Sequence, residues 1–393
     1  MAAIDDLVAF QRAADTTLGR FTGPVPFYST TNTFAAPNTI RVPNPVPLSK
    51  ALESILVVLR FRLAITVANY TVGVPEAPQT LLERLVVRGN HSRLGGQIPI
   101  DISGATAFVW PNLSTPFATN LRMGATYARS ADPGQPFVQT LGLSTGAIGS
   151  YDVEVVYQIP VGPFLGNGAT EIRSLMPFLW RAEDWGDSLQ VELQLGDRTS
   201  LGTPAGTTVT TWTAYGSAAG SPSVEVFLNY SLMGQLSGIG QGGFLVRTEQ
   251  AAVPALTGIA TDQQLGSFLR RAVTTRVLTK SGILLAGTSA GVTVFGSLSD
   301  LQLDRTRLVV DQKAIRDTAR NYAMKAYLQR MFGCVHPEGY FDLDFCESGN
   351  PLLALRLDQS PPGVQAMLRT DVLTANAANR QNIVQEYVIG GPF

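Results

Sequence analysis

Gly234-Gln235-Leu236-Ser237-Gly238-Ile239-Gly240-Gln241-Gly242-Gly243 is the densest glycine run in this 393-residue chain, and it carries no charge. Glycine has the widest backbone freedom and no side chain to pack, so such a run marks a joint between packed units. In front of it, residues 223–232 alternate apolar and polar side chains as a strand does, and behind it Phe244-Leu245-Val246 opens a new apolar segment. The run also fits G-x-G-x-x-G over 238–243. A dinucleotide site needs those glycines between a strand and a helix whose N-terminus faces the pyrophosphate. Phe244-Leu245-Val246-Arg247 reads as strand instead, so the stretch is read as a seam between two β units and not as a cofactor site.

Working outward, the length exceeds one ordinary core and implies two or three domains. Charged residues are only 15% of the chain, against about 25% in an average soluble domain. With a net charge of −1 there is no basic stripe to hold a nucleic-acid backbone, so no sequence-specific nucleic-acid binding is expected. A weakly charged surface is suited to burial against copies of itself. The 38 glycines and 24 prolines mark many turns between short strands. Cys334 and Cys346 are the only cysteines, too few for a disulfide framework. Asp5 and Asp6 stand where a signal peptide would be basic, and no apolar h-region follows, so use without secretion is expected. The longest apolar stretch, 55–70, is interrupted by Arg60 and Arg62 and is too short to span a bilayer.

Taken in order, residues 1–20 have helical spacing, with Ile4, Leu7, Val8, Ala14 and Leu18 on one stripe, stopped by Gly19 and Gly23-Pro24. Residues 21–47 are rich in Pro, Thr and Asn and are expected to run extended. Strict alternation follows at 55–68, with Arg60, Arg62 and Thr66 on the wetter face, and again at 151–159, 189–195 and 224–230. Between them, 103–150 shows no helical period and reads as a loop-dominated excursion. Beyond the glycine run, strands are expected at 244–248, 273–279, 283–286, 292–295, 340–345, 352–357, 366–373 and 382–389. One helix is expected from Asp311, as its cap, to about Met331, with Ile315, Ala319, Tyr322 and Ala326 on its apolar face. Short strands separated by turns, without crossover helices, predict antiparallel sandwiches. The fold class is therefore all-β, as two tandem β-sandwiches. Residues 1–45 form an N-terminal helix and extended arm, 46–237 the first sandwich, and 238–393 the second with its inserted helix.

Chemistry-bearing motifs are weak. Residues 142–146 and 287–291 both fit G-x-S-x-G, but each leads into a strand rather than a helix, and only His91 and His336 exist to act as base. Cys334, His336 and Cys346 lack the paired short spacings of structural zinc. Asp342, Asp344 and Glu347 lack the spacing and glycine of a calcium loop, although Asp342 and Asp344 share a strand face as a glycosidase pair would require. Trp110, Trp180, Trp185 and Trp212 are scattered, where a glycan platform needs exposed aromatics together. No catalytic, cofactor or metal site is expected. The competing reading is a double-sandwich enzyme or carbohydrate-binding module acting on glycans.

Several stretches together resemble the double jelly-roll major capsid proteins of tailless, internal-membrane icosahedral phages, the tectivirus-like group. They are Gln158-Ile159-Pro160-Val161 closing a strand, 229–236 leading through glycines into Gly243-Phe244-Leu245, and Gln264–Val273 opening strands in the second half. The segment with Lys313, Arg316, Arg320 and Met331, then Gly339-Tyr340-Phe341 and a closing Glu386-Tyr387 strand, is similar to that group's final third. The resemblance implies two tandem jelly rolls and a homotrimer whose rolls make a pseudo-hexameric capsomer. Its partners would be neighbouring capsomers of the same protein, minor or penton capsid proteins and an internal lipid membrane. Its location would be the virion, after assembly in the host cytoplasm. Within it, Ile4, Leu7, Val8, Arg12, Leu18 and Arg20 would form an arm facing the membrane or lying under a neighbour.

Overall fold

The alternation read at 55–68 and 151–159 is realised, over the described residues, as two long paired strands, Ala51–Ile65 and Gly149–Pro160. The computed structural model describes residues 21–34, 38–46, 51–65, 79–113, 122–123, 140–141, 149–162, 179–196, 209–231, 243–253, 260–267, 273–284, 295–297, 303–311, 313–317, 323, 326, 340–345, 354–356, 366–372 and 379–390.

The first half holds β1 (Phe21–Thr31), β2 (Asn38–Val42), β3 (Ala51–Ile65), β4 (Leu82–His91) and β5 (Gly95–Ile102). Helix α1 (Gly104–Leu113) follows, then β6 (Arg122–Met123), β7 (Thr140–Leu141), β8 (Gly149–Pro160), β9 (Trp180–Arg181), the short helix α2 (Ala182–Trp185), β10 (Gln190–Leu195), β11 (Val209–Thr213) and β12 (Ser223–Ser231). The second half holds β13 (Phe244–Val253), β14 (Ala260–Ser267), β15 (Val273–Leu284), β16 (Phe295–Ser297), β17 (Leu303–Val310) and β18 (Lys313–Asp317). It closes with β19 (Tyr340–Asp344), β20 (Leu355–Arg356), β21 (Ala366–Val372) and β22 (Asn379–Ile389).

The pairing is the same in both halves. In the first, β1-β12-β3-β8 stands opposite β2-β10-β4-β5; in the second, β13-β22-β15-β19 stands opposite β14-β21-β17-β18. Each half is thus a sandwich of two antiparallel sheets in which sequential strands cross from sheet to sheet.

In the first sandwich the inward residues Ile55, Val57, Leu59, Phe61 and Leu63 of β3 and Val153, Val155, Tyr157 and Ile159 of β8 meet Leu85, Val87, Ile100, Val191 and Leu193 from the facing sheet, all buried. Burying each large aliphatic side chain contributes roughly 1.5–3 kcal/mol, which makes this the main stabilising term. Two buried tyrosine hydroxyls are paired: that of Tyr157 donates to the Gln79 carbonyl at 2.8 Å and that of Tyr230 to the Pro45 carbonyl at 3.0 Å. As expected from alternation, Arg60 and Arg62 lie on the outer face, paired to Glu154 and Asp152.

Three expectations are altered. Residues 21–47 are extended, but they contribute β1, paired to β12, and β2, paired to β10, to the first sandwich. The excursion at 103–150 contains α1, which has no readable period because Ala105, Ala107, Phe108, Val109 and Trp110 are all buried and the helix is apolar all round. The helix expected from Asp311 starts later. Lys313–Asp317 is β18, hairpin-paired to β17, so Ile315 is a strand residue. Asp311 is no cap but a turn residue with φ 49°, a left-handed geometry that Asp tolerates better than most residues. Ala323 and Ala326 are helical and exposed. The glycine run at 234–242 lies outside the described residues.

Candidate functional site at the junction of two sandwiches

Strand β13 makes the junction. On one side it pairs antiparallel with β22, and on the other it pairs parallel with β5 of the first sandwich, Arg247 opposite Ile100 and Thr248 opposite Asp101. One sheet of ten strands therefore runs through both halves. Over the outward face of β13-β22-β15-β19 lie α1 and the end of β8, fixed by three polar contacts.

Arg247 has no solvent exposure. Its Nε donates to Glu386 Oε2 at 2.8 Å, and its two terminal nitrogens donate to the carbonyls of Pro160 and Gly162, where β8 ends. Burial pushes the guanidinium pKa down, and the Glu386 carboxylate opposes that shift. The second Glu386 oxygen accepts from the Thr275 hydroxyl at 2.7 Å. A planar fork with donors at both ends can clamp a carboxylate and two carbonyls at once, which a lysine cannot.

Glu249 reaches the start of α1. Its Oε2 accepts from the Ser103 N–H and the Thr106 hydroxyl, both at 2.8 Å, and its Oε1 accepts from Asn382 at 2.9 Å. Burial alone would raise this carboxyl's pKa. The Lys280 charge and these hydrogen bonds outweigh it and hold the pKa below the usual range. A carboxylate at a helix N-terminus also meets the positive end of the helix dipole.

Arg276 of β15 lies 5.3 Å from the Trp110 ring of α1 and donates through Nε to Asp342 Oδ1 at 2.8 Å, its terminal nitrogen completing a bidentate pair. Both side chains are at most 2% exposed. A desolvated cation over an indole is among the stronger such contacts.

Beside the polar set, His91 packs at 5.1 Å from both Trp185 and Phe244, and the Trp180 ring lies 5.6 Å from that of Trp185, tilted by 53°. The His91 Nδ1 accepts from the Arg93 N–H at 3.3 Å. Burial lowers the His91 pKa, with Asp184 acting against the shift and Arg93 with it. The arrangement fastens; its ionised groups are held by fixed partners inside the protein.

The residues singled out earlier fall as follows. Asp342 is held by Arg276. The side chain of Asp344 is not among those described, and Glu347, Cys334, His336 and Cys346 lie outside the described residues, as do both G-x-S-x-G stretches. The arm residues Ile4, Leu7, Val8, Arg12, Leu18 and Arg20 also lie outside them. Among the described residues no three His, Cys, Asp or Glu side chains gather as metal ligands, and no helix is long and apolar enough to cross a membrane. Trp110, Trp180 and Trp185 are buried, and Trp212 packs partly buried against Phe34 and Phe61. The roles of Arg247, Glu249 and Arg276 were not read from the sequence; the one usable signal was Arg247 directly after the apolar Phe244-Leu245-Val246, since Glu249 and Arg276 stand among polar neighbours in β13 and β15.

No family model and no curated protein sequence matches this chain. Solved structures do. The STIV MCP superposes with a TM-score of 0.57 over 92% of this chain and 96% of its own, at 14% identity. The PBCV-1 virus capsid gives 0.55 over 96% and 97%, at 12% identity. The major capsid protein P2 from bacteriophage PM2 gives 0.51 over 95% and 98%, also at 12%. The fold is a double jelly roll. At such identities the likeness is one of fold, and it covers 92–96% of this chain. In this double jelly roll the first roll ends with β12 and the second begins with β13. The two are joined not through the intervening glycines alone but through the β5–β13 ladder and the Arg247, Glu249 and Arg276 contacts.

Proposed function

We propose that this chain is a viral major capsid protein. The observation that carries the reading is the double jelly roll itself. Two equivalent rolls are locked side by side, and the same whole-chain arrangement occurs in proteins described as major capsid proteins and a virus capsid. The chain self-associates as a homotrimer in which the rolls of three copies form a pseudo-hexameric capsomer, and capsomers tile an icosahedral shell around a membrane vesicle. Low charge and a near-neutral balance support broad contact between copies. Residues 1–20, with Ile4, Leu7, Val8, Arg12, Leu18 and Arg20, serve as an arm toward the membrane or a neighbouring capsomer, and penton or minor capsid proteins complete the shell. Assembly takes place in the host cytoplasm and the product resides in the virion. Size-exclusion chromatography with light scattering tests the core of this: a stable trimer is expected, and a monomer at all concentrations overturns it. Deleting residues 1–20 is expected to lower particle yield or membrane retention; unchanged values for both overturn the arm assignment.

A further inference from the structure

Three chemically complementary side chains meet on the face of the second roll that α1 covers. Lys280 of β15 stands directly opposite Asn382 of β22 in the antiparallel ladder, so the two project from the same face with Cβ atoms about 5 Å apart. Glu249 of β13 pairs with Val384, two residues along β22, and is the diagonal neighbour of Asn382 on that face. The Asn382 side-chain nitrogen donates to Glu249 Oε1 at 2.9 Å, and the Lys280 charge acts on the same carboxylate.

The surroundings are dry. Lys280 is 2% exposed, and the next row, Leu278 opposite Val384, is fully buried. On its other side Lys280 stands opposite the buried Tyr340 of β19. The start of α1 closes the site, with the Ser103 N–H and the Thr106 hydroxyl on the second Glu249 oxygen. Asn382 Oδ1 is buried too, and it has no hydrogen-bond partner among the described residues. A purely structural asparagine would use both ends of its amide, because a buried acceptor left unmatched is costly. An amine, an amide carbon and a carboxylate held together away from water are what an amide-forming condensation needs.

We propose that Lys280 and Asn382 become joined by an isopeptide bond, formed by the folded chain itself with Glu249 as the proton carrier. Glu249 takes a proton from the Lys280 ammonium, and the freed Nζ lone pair attacks Asn382 Cγ. The Cγ–Nδ2 bond then breaks and its electron pair leaves with the nitrogen. Glu249, already hydrogen-bonded to Nδ2, passes two protons in turn from Nζ to that nitrogen, which departs as ammonium. One ammonium group and one carboxamide enter, and one secondary amide and one ammonium ion result, so the step needs no oxidant or co-reactant. Glu249 is held ionised, so taking the first proton is uphill and the reaction slow, but each chain has to perform it only once. The bond ties together β15 and β22, the two inner strands of the sheet β13-β22-β15-β19, which also carry Arg276 and Glu386. It forms within one chain, whatever the oligomeric state.

Mass spectrometry of the full-length folded chain tests this. The intact mass is expected to fall short of the sequence mass by one ammonia. Trypsin is expected to release a branched peptide joining residues 277–305, uncut at Lys280, to residues 381–393. Glu249→Gln and Lys280→Arg are each expected to keep the full mass and release no branched peptide. A folded wild-type chain that keeps its full mass and releases only linear peptides after days at neutral pH overturns the proposal. That measurement needs no variant, so it decides even where a substitution prevents folding. A branched peptide that persists in folded Glu249→Gln overturns the part given to Glu249.

Discussion

Arg247 and Glu386 face each other without water, so each is tolerable only because the other is present. Arg247→Met leaves a buried carboxylate and two carbonyls without their donor, and is expected to destabilise the protein by about 3–5 kcal/mol in urea denaturation. Arg247→Met/Glu386→Leu, which removes both charges, is expected to recover a large part of that loss. A single-variant cost below about 1 kcal/mol would mean the pair does not hold the junction. Two other groups set opposed pH dependences. The His91 pKa is lowered in the folded chain, so the unfolded chain binds the proton more readily and stability is lost as pH falls through the lowered value. The Glu53 pKa is raised by burial to about 7, so the folded chain holds its proton where the unfolded chain has released it. That stability is fully present below the ordinary carboxylate range and lost as pH rises toward 7. Between about pH 5 and 7 the slopes oppose each other. His91→Phe is expected to leave a melting temperature that falls with rising pH, and Glu53→Gln one that rises; identical profiles for both would contradict the assignment.

Helix α1 joins the two rolls because it can approach β4 closely. A Cβ on Gly104 would lie 2.1 Å from the Leu82 carbonyl oxygen and 2.8 Å from that of Gln79, backbone atoms that cannot step aside. Gly104→Ala is therefore expected to cost about 1–3 kcal/mol in thermal unfolding, whereas Gly96→Ala, whose Cβ would meet only the Asn90 side chain at 3.5 Å, should be mild by comparison. Equal effects would show that the close approach is unimportant. Strands differ from α1 in how they announce themselves. Strand β3 was plain in the sequence because one face is wet and the other dry, and a period of two follows. Helix α1 is dry all round, so no period exists to read. The 311–331 stretch misled because Ile315, Ala319, Tyr322 and Ala326 sit at helical spacing, while the tertiary pairing of β18 with β17 overrides that pattern over its first residues.

At the scale of the molecule, the ten-stranded sheet makes the two rolls one cooperative unit. Calorimetry is expected to show a single unfolding transition with equal van't Hoff and calorimetric enthalpies, and two separated transitions would show the rolls to be independent. Alternation, turn-forming residues and low charge were enough to determine an all-β chain of two sandwiches, because burial of one strand face leaves its mark directly in residue order. The glycine run at 234–243, read as the seam, falls in the sequence between β12 and β13. It did not tell how the halves are held. That depends on Arg247 meeting the end of β8, Glu249 meeting the start of α1 and Arg276 meeting Trp110, contacts between residues more than eighty positions apart. Local sequence records whether a side chain wants water, but which distant partner replaces that water is decided only when the sheets come together.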